Sequence, residues 1–303
     1  MAILAILFTF LVCRPVQLSA SDNLEMGIPG PQPLVDRAGY ALGYSEEHEQ
    51  AAWVAYKLTS LELIGRQKRT DNYRVDSQIP TGSAALSDYR GSGFDHGHLA
   101  PAGDMTWSRT AMSESFFLSN MSPQVPGFNR GIWRRLESTT RNFAANCNEI
   151  YIVTGPILEP DLFTIGENCV SVPRRFFKVI LDYYPPDFKA IGFILPNKKS
   201  SIELQQTAVA VDEVEGATGL DFFSDLPDSL EEFLEKSIDV LAWEFKQFST
   251  PASSGEVIQS AQCEGITLEG RRCRRMTTNP SGYCWQHESQ SGVVTPVPHM
   301  RDD

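Results

Sequence analysis

The 303-residue sequence predicts an α+β fold: a central antiparallel β-sheet flanked by helices, with a small C-terminal Cys/His module behind it. Three observations predict it. Short apolar runs bounded by turn residues recur at 53–58, 149–154, 176–181 and 190–195 and read as strands. Helical segments interrupt them irregularly, as they do where helices lie against an antiparallel sheet. Beyond a Ser/Thr/Pro/Gly-rich stretch at 250–262, three Cys and one His gather between positions 263 and 287.

The length suffices for one large core, or for a core plus a small module. With 42% hydrophobic and 21% charged residues, the composition is that of an ordinary soluble globular protein. A net charge of −12 argues against a protein that coats polyanions along its whole surface. The charge is uneven, however. Residues 66–141 carry ten Lys/Arg against seven Asp/Glu, which leaves −15 on the remainder. A basic cleft on an acidic body suits a protein that binds a polyanion and then releases it; chance imbalance is the plain alternative.

Taken in order, residues 1–20 begin with the apolar run 3–12 and end in Leu18-Ser19-Ala20, the pattern of a secretory signal peptide. That pattern predicts a secreted or periplasmic protein with no membrane segment once the signal is removed. Residues 27–33 form a Pro/Gly-rich loop, 39–44 a short Tyr-rich strand and 53–58 a second strand. Residues 66–74 are basic and lead into a loop. Residues 105–115 read as a short helix. In 129–146, Ile132, Leu136 and Phe143 recur at helical spacing, and Asn129, after Pro126-Gly127, is placed to cap the helix. Glu137 and Arg141 stand four apart on one face of it. After the strands at 149–154, 176–181 and 190–195, a short segment at 205–214 and a helix at 229–235 complete a domain assigned to 21–249. A linker (250–262), the Cys/His module (263–287) and a disordered tail (288–303) follow.

Two dense stretches carry the chemistry. The first, 89–104, reads YRGSGFDHGHLAPAGD; His96 and His98 flank Gly97, and His is the side chain whose ordinary pKa suits proton transfer near neutrality. The second, 117–137, reads FLSNMSPQVPGFNRGIWRRLE.

Together they resemble the DNA/RNA non-specific endonucleases, the ββα-metal nucleases of the Serratia and endonuclease G type. The first family motif is Asp-Arg-Gly-His followed by a small-apolar-Pro run, and here it stands as Asp95-His96-Gly97-His98-Leu99-Ala100-Pro101. The second stands as Leu118-Ser119-Asn120, Pro123-Gln124, Phe128-Asn129, Trp133 and Leu136-Glu137. The resemblance runs from about position 27 to about 245. It implies a ββα-metal active site that hydrolyses DNA and RNA with Mg²⁺ or Mn²⁺. It implies His98 as general base, Asn129 as the direct cation ligand, Glu137 as a ligand through water, Asn120 as an orienting residue, and Arg141 beside Glu137 or phosphate. One of Arg69 and Arg74 is expected to contact phosphate. A homodimer and an inhibitor protein are open as partners.

The sequence departs from the family at His96, which stands where the motif has Arg. Three readings stay open: another arginine such as Arg90 supplies the charge, the enzyme works at mildly acidic pH, or it is impaired and serves as a nucleic-acid or protein-binding adaptor.

Six cysteines complete the inventory, and Cys13 lies in the signal-like segment. Cys147 and Cys169 could pair across the 149–154 strand. The C-terminal run, Cys263-x9-Cys273-x10-Cys284-x2-His287, suits a closed tetrahedral Zn²⁺ site. A disulfide-linked knot is the alternative. Arg271, Arg272, Arg274 and Arg275 around it would either dock on nucleic acid or solvate the module.

Overall fold

The structure is a computed structural model that describes residues 22–185 and 188–248 and, beyond them, 261–267, 270–277, 282–284, 287 and 290. The signal-like segment, most of the expected linker and most of the expected tail lie outside the described residues. In chain order the strands are β1 (Leu34–Asp36), β2 (Ala41–Ser45), β3 (Gln50–Thr59), β4 (Asp95–His98), β5 (Met121–Gln124), β6 (Glu149–Pro156), β7 (Thr164–Ile165), β8 (Val170–Ser171), β9 (Arg175–Asp182), β10 (Lys189–Pro196), β11 (Ala208–Val209), β12 (Ala261–Gln262) and β13 (Met276–Thr277). The helices are α1 (Leu86–Tyr89), α2 (Arg109–Glu114), α3 (Arg134–Cys147), α4 (Val211–Thr218) and α5 (Asp228–Lys236).

Seven strands pair antiparallel in the order β1-β2-β3-β6-β9-β10-β11. The central strands are buried on both sides, so the sheet needs a layer on each face. Alternation sorts their side chains. Val54, Tyr56, Ile152, Phe176 and Ile180 join one core with Phe128, Trp133, Leu136 and Phe143. Trp53, Ala55, Tyr151, Phe177 and Val179 join another with Val211, Val214 and Phe222. Helix α3 packs on β3 and β6, and α4 and α5 pack on β10. Each fully buried Phe or Val contributes about 1.5–3 kcal/mol, so the two cores dominate the stability. The expected α+β architecture with a central antiparallel sheet is the one observed, and the strands read from the sequence form within a few residues of their expected bounds.

The smaller pair β4–β5 positions the site. Asp95 faces Gln124 and His98 faces Met121 across an antiparallel ladder. Strand β5 is tied to the main sheet where the Ser122 hydroxyl donates to Gln50 Oε1 at 2.6 Å.

Two expectations are corrected and one, the segment at 205–214, is refined. The helix expected from 129 starts later: Phe128–Trp133 form a wide π-helical turn, with Gly131 at φ −106°, ψ −110°, and regular α-helix begins at Arg134. Asn129 therefore does not cap it. The 205–214 segment is a single 3₁₀ turn, the edge strand β11 and the start of α4. Cys147 and Cys169 are both free: Cys147 ends α3, half-buried, while Cys169 is exposed in the turn between β7 and β8. Among the described residues no helix is long and apolar enough to cross a membrane.

Candidate active site

The motif folds into a ladder because glycine stands at its centre. A Cβ at Gly97 would lie 2.1 Å from Gln124 Oε1 on the paired strand, so a larger residue between the two histidines would have to displace the buried Gln124 side chain. Asn120 fixes the far end. Its amide oxygen accepts from Ala100 N at 2.9 Å, and its nitrogen donates to Ala100 O and Ser115 O, each at 2.9 Å. Its side chain is fully buried and spent on backbone, so Asn120 does not reach the cleft. It holds the chain just after His98. Trp133 Nε1 donates to His98 O at 3.3 Å from the other side.

Asp95 ties this ladder to the π-helical turn. Arg130 donates to both of its oxygens, at 2.8 and 2.6 Å, and Asn129 Nδ2 donates at 2.9 Å. Burial pushes the Asp95 carboxyl up, but these hydrogen bonds and the Arg130 and His96 charges outweigh it and hold it below the usual range. With its nitrogen taken, Asn129 has its amide oxygen to offer. The wide turn is what lets Asn129, which is not on the regular helix, meet a carboxylate 34 residues away.

The opposite wall comes from α3 and the sheet. Arg141 donates to Asp104 Oδ1 at 2.8 Å, and Asp104 Oδ2 accepts from Tyr56 Oη at 2.9 Å. The hydrogen-bonded partner of Arg141 is thus Asp104, the last residue of the first motif stretch, rather than Glu137. Burial raises the Glu137 carboxyl to about 7, against the pull of Arg141 and Lys178. Lys178 rises from the sheet fully buried, its ammonium 5.2 Å from the Trp133 ring and without a hydrogen-bond partner among the described residues. A lone lysine in FFKVIL is unusual for a buried strand, and that was the available signal for it.

Between these walls lies a cleft of about 430 Å³, lined by His96, His98, Asn129, Glu137 and Arg141 together with Arg69, Arg130 and Arg134. Of the two loop arginines, Arg69 lines it, held by Asp71 at 2.6 Å and Tyr73 Oη at 3.0 Å. Arg74 instead lies over Phe117, 3.8 Å from the ring centre, and donates to Ser113 O. Arg90 does not line the cleft. Tyr73 sits against both imidazoles, 4.3 Å from His96 and 5.9 Å from His98 between ring centres.

The two histidines share a chemical state. Burial, with the Arg69 and His96 charges, pushes the His98 imidazole down to about 3. Burial also lowers His96, against the pull of its own backbone and of Asp95. Both shifts favour the neutral imidazole. His98 Nε2 is buried with no hydrogen-bond partner among the described residues, on a ring that lines the cleft.

A second ligand cluster lies elsewhere. Cys263, Cys273, Cys284 and His287 are buried, and their ligand atoms all lie within 4.8 Å of one another. Of the four nearby arginines, Arg272 donates to Cys263 O and Gln262 O, and Arg275 donates to Glu25. Those two guanidiniums hold structure together.

The DNA/RNA non-specific endonuclease family model matches residues 19–229. A nuclease of Syncephalastrum racemosum is 38% identical over 236 residues, spanning 70% of this chain and 74% of that relative. Mitochondrial endonuclease G of Bos taurus is 36% identical over 213 residues, spanning 65% of this chain and 71% of the relative. A solved endonuclease G, described in complex with the inhibitor EndoGI, superposes with a TM-score of 0.63 at 31% identity, covering 68% of this chain and 91% of that one. The chain belongs to the DNA/RNA non-specific endonuclease family. It is a hydrolytic nuclease of a metal-dependent family, with nucleic acid as substrate. The same names overturn the expectation of a secreted or periplasmic protein, because the endonuclease G, EXOG and yeast relatives are mitochondrial nucleases by name.

Proposed function

We propose that the cleft hydrolyses phosphodiester bonds in DNA and RNA with a bound Mg²⁺, for which Mn²⁺ can substitute, and that β4, β5 and α3 form its ββα-metal motif. The donor set fits a hard cation: the Asn129 amide oxygen as direct ligand and the Glu137 carboxylate acting through water, beside an open cleft that leaves room for the waters Mg²⁺ keeps. When bound, the cation supplies positive charge to the phosphate and the leaving 3′ oxygen.

The protein's own groups do the rest. His98, held toward its neutral form, takes the proton of the attacking water on the ring edge that faces the cleft, and the approaching phosphate anion raises its affinity for that proton. Arg69, Arg130, Arg134 and Arg141 neutralise the phosphate charge, so the neutral His96 is compensated from other elements. Asp95 fixes Arg130 and Asn129 relative to the two histidines. The complex named for the endonuclease G neighbour supports an inhibitor protein as a partner of this chain. Residues 21–249 form the nuclease unit in this reading, with 250–262 a linker to the 263–287 module.

The observation that carries the proposal is the His98 imidazole sharing one cleft with Asn129 and Glu137. Supercoiled plasmid and a long RNA, incubated with the protein in Mg²⁺ or in EDTA, test it. Both should be cut with Mg²⁺ and neither in EDTA. Cleavage that survives EDTA, or none with Mg²⁺ or Mn²⁺, contradicts it.

A further inference from the structure

The geometry points to a structural Zn²⁺ centre held by Cys263, Cys273, Cys284 and His287, which locks the C-terminal segment onto the sheet face opposite the cleft through Arg275 and Glu25. It does not depend on the nuclease mechanism above.

The distances favour a metal over a disulfide. A tetrahedral zinc with bonds of about 2.3 Å to sulfur and about 2.0–2.1 Å to nitrogen sets its ligand atoms about 3.5–3.8 Å apart. His287 Nδ1 stands 3.3 Å from Cys284 Sγ and 3.7 Å from Cys263 Sγ, and Cys273 Sγ stands 3.9 Å from Cys284 Sγ. These are tetrahedral edges, far beyond a covalent S–S bond of about 2.05 Å, and all three cysteines are free.

The backbone is arranged for a thiolate. Gly265 N and Cys284 N both donate to Cys263 Sγ, at 3.3 and 3.1 Å. A Cβ at Gly265 would lie 2.3 Å from His287 Cβ, so glycine is what admits the imidazole. Three thiolates and one imidazole close a four-coordinate site with no open position, the arrangement of structural zinc. Loading it transfers the three thiol protons to solvent. Among the described residues, the cysteines form a small cluster with the partly buried Tyr283 packed against it.

The docking follows from β3. Arg275 donates to both Glu25 oxygens, at 2.5 and 2.6 Å. Glu25 also accepts from Lys57 at 3.2 Å and from Tyr151 Oη at 3.0 Å. Lys57 follows Tyr56, whose hydroxyl reaches Asp104 in the cleft wall, so the two side chains leave β3 on opposite faces. Cys263 N donates to Arg275 O at 2.7 Å, which ties the docking arginine to the metal ligands.

The test uses the full-length protein, purified without chelator. Elemental analysis should find one zinc per chain, retained in excess Mg²⁺, and lost in His287→Ala and Cys273→Ser. Limited proteolysis should then remove the C-terminal segment from these variants while the nuclease body persists. Glu25→Gln should keep its zinc but release the segment about tenfold faster, because a charge-assisted contact is lost. Plasmid cleavage by His287→Ala should stay within about twofold of the parent, as befits the far face. A zinc-free chain with two of these thiols oxidised overturns the metal site. Unchanged proteolysis of Glu25→Gln overturns the docking, and a collapse of cleavage in a folded His287→Ala overturns the separation of the two faces.

Discussion

The cleft and the cysteine cluster both gather ligand-type side chains, but they are built in opposite ways. The cluster is closed: its four ligand atoms face one another within 4.8 Å, and backbone amides occupy the outside of a sulfur. The cleft keeps about 430 Å³ open between its donors, with the His98 imidazole on its wall. Soft, saturated ligation suits a staple, whereas hard oxygen donors beside open volume suit a cation that must share its coordination with water and substrate. The difference shows what reactivity needs from a fold: polar groups left unsatisfied, and a second set of contacts to hold them that way. Asp95 and Asn120 supply that second set.

The comparison can be broken at the cleft first. His98→Ala should lower plasmid cleavage by about 10²–10⁴-fold, the range a lost general base commands, while the thermal midpoint stays near that of the parent. Retained cleavage would reduce His98 to a packing residue.

Glu137→Gln should cost about 10–100-fold in cation affinity or rate. The pH profile sharpens this. The fold holds the Glu137 carboxyl up near 7, so the active carboxylate is lost as pH falls through that value. Cleavage should therefore decline on the acid side of about 7. Burial pushes the His98 imidazole well below its ordinary range, so in the absence of substrate it does not contribute to that limb. Because the cation favours the carboxylate, raising its concentration should move this acid limb to lower pH. The stability sign is opposite: the raised pKa makes a contribution that is full at low pH and lost as pH rises through about 7. An acid limb that ignores cation concentration would detach Glu137 from the metal.

The smallest effect on chemistry should come from Asn120→Ala. It leaves the Ala100 amide and two carbonyls buried without partners, at about 1–3 kcal/mol for each group that water cannot reach. Denaturant unfolding should show the loss, with cleavage at low temperature falling far less than in His98→Ala. The reverse pattern would place Asn120 in the reaction.

Much of this was legible in the sequence because it is local. The runs at 53–58 and 176–181 become strands because their side chains suit a sheet covered on both faces, and both motifs assemble in order. What was not legible depends on distant contacts. The helix start at 129 failed because Asp95 holds Asn129 in a wide turn, which no spacing between neighbours encodes. Arg69 and Arg74 look alike in sequence, and only the position of Phe117 removes Arg74 from the cleft. Arg130 and Asp104 carried no periodic signal, and their roles appear only with their partners. The apolar N-terminal run misled in a different way, since a hydrophobic stretch does not by itself identify its destination.

A crystal soaked in Mn²⁺ and measured for anomalous scattering tests the central claim most directly. One peak should lie in the cleft against the Asn129 amide oxygen, with Glu137 reaching it through water. A peak elsewhere, or none in crystals whose dissolved protein still cuts DNA with Mn²⁺, would contradict it.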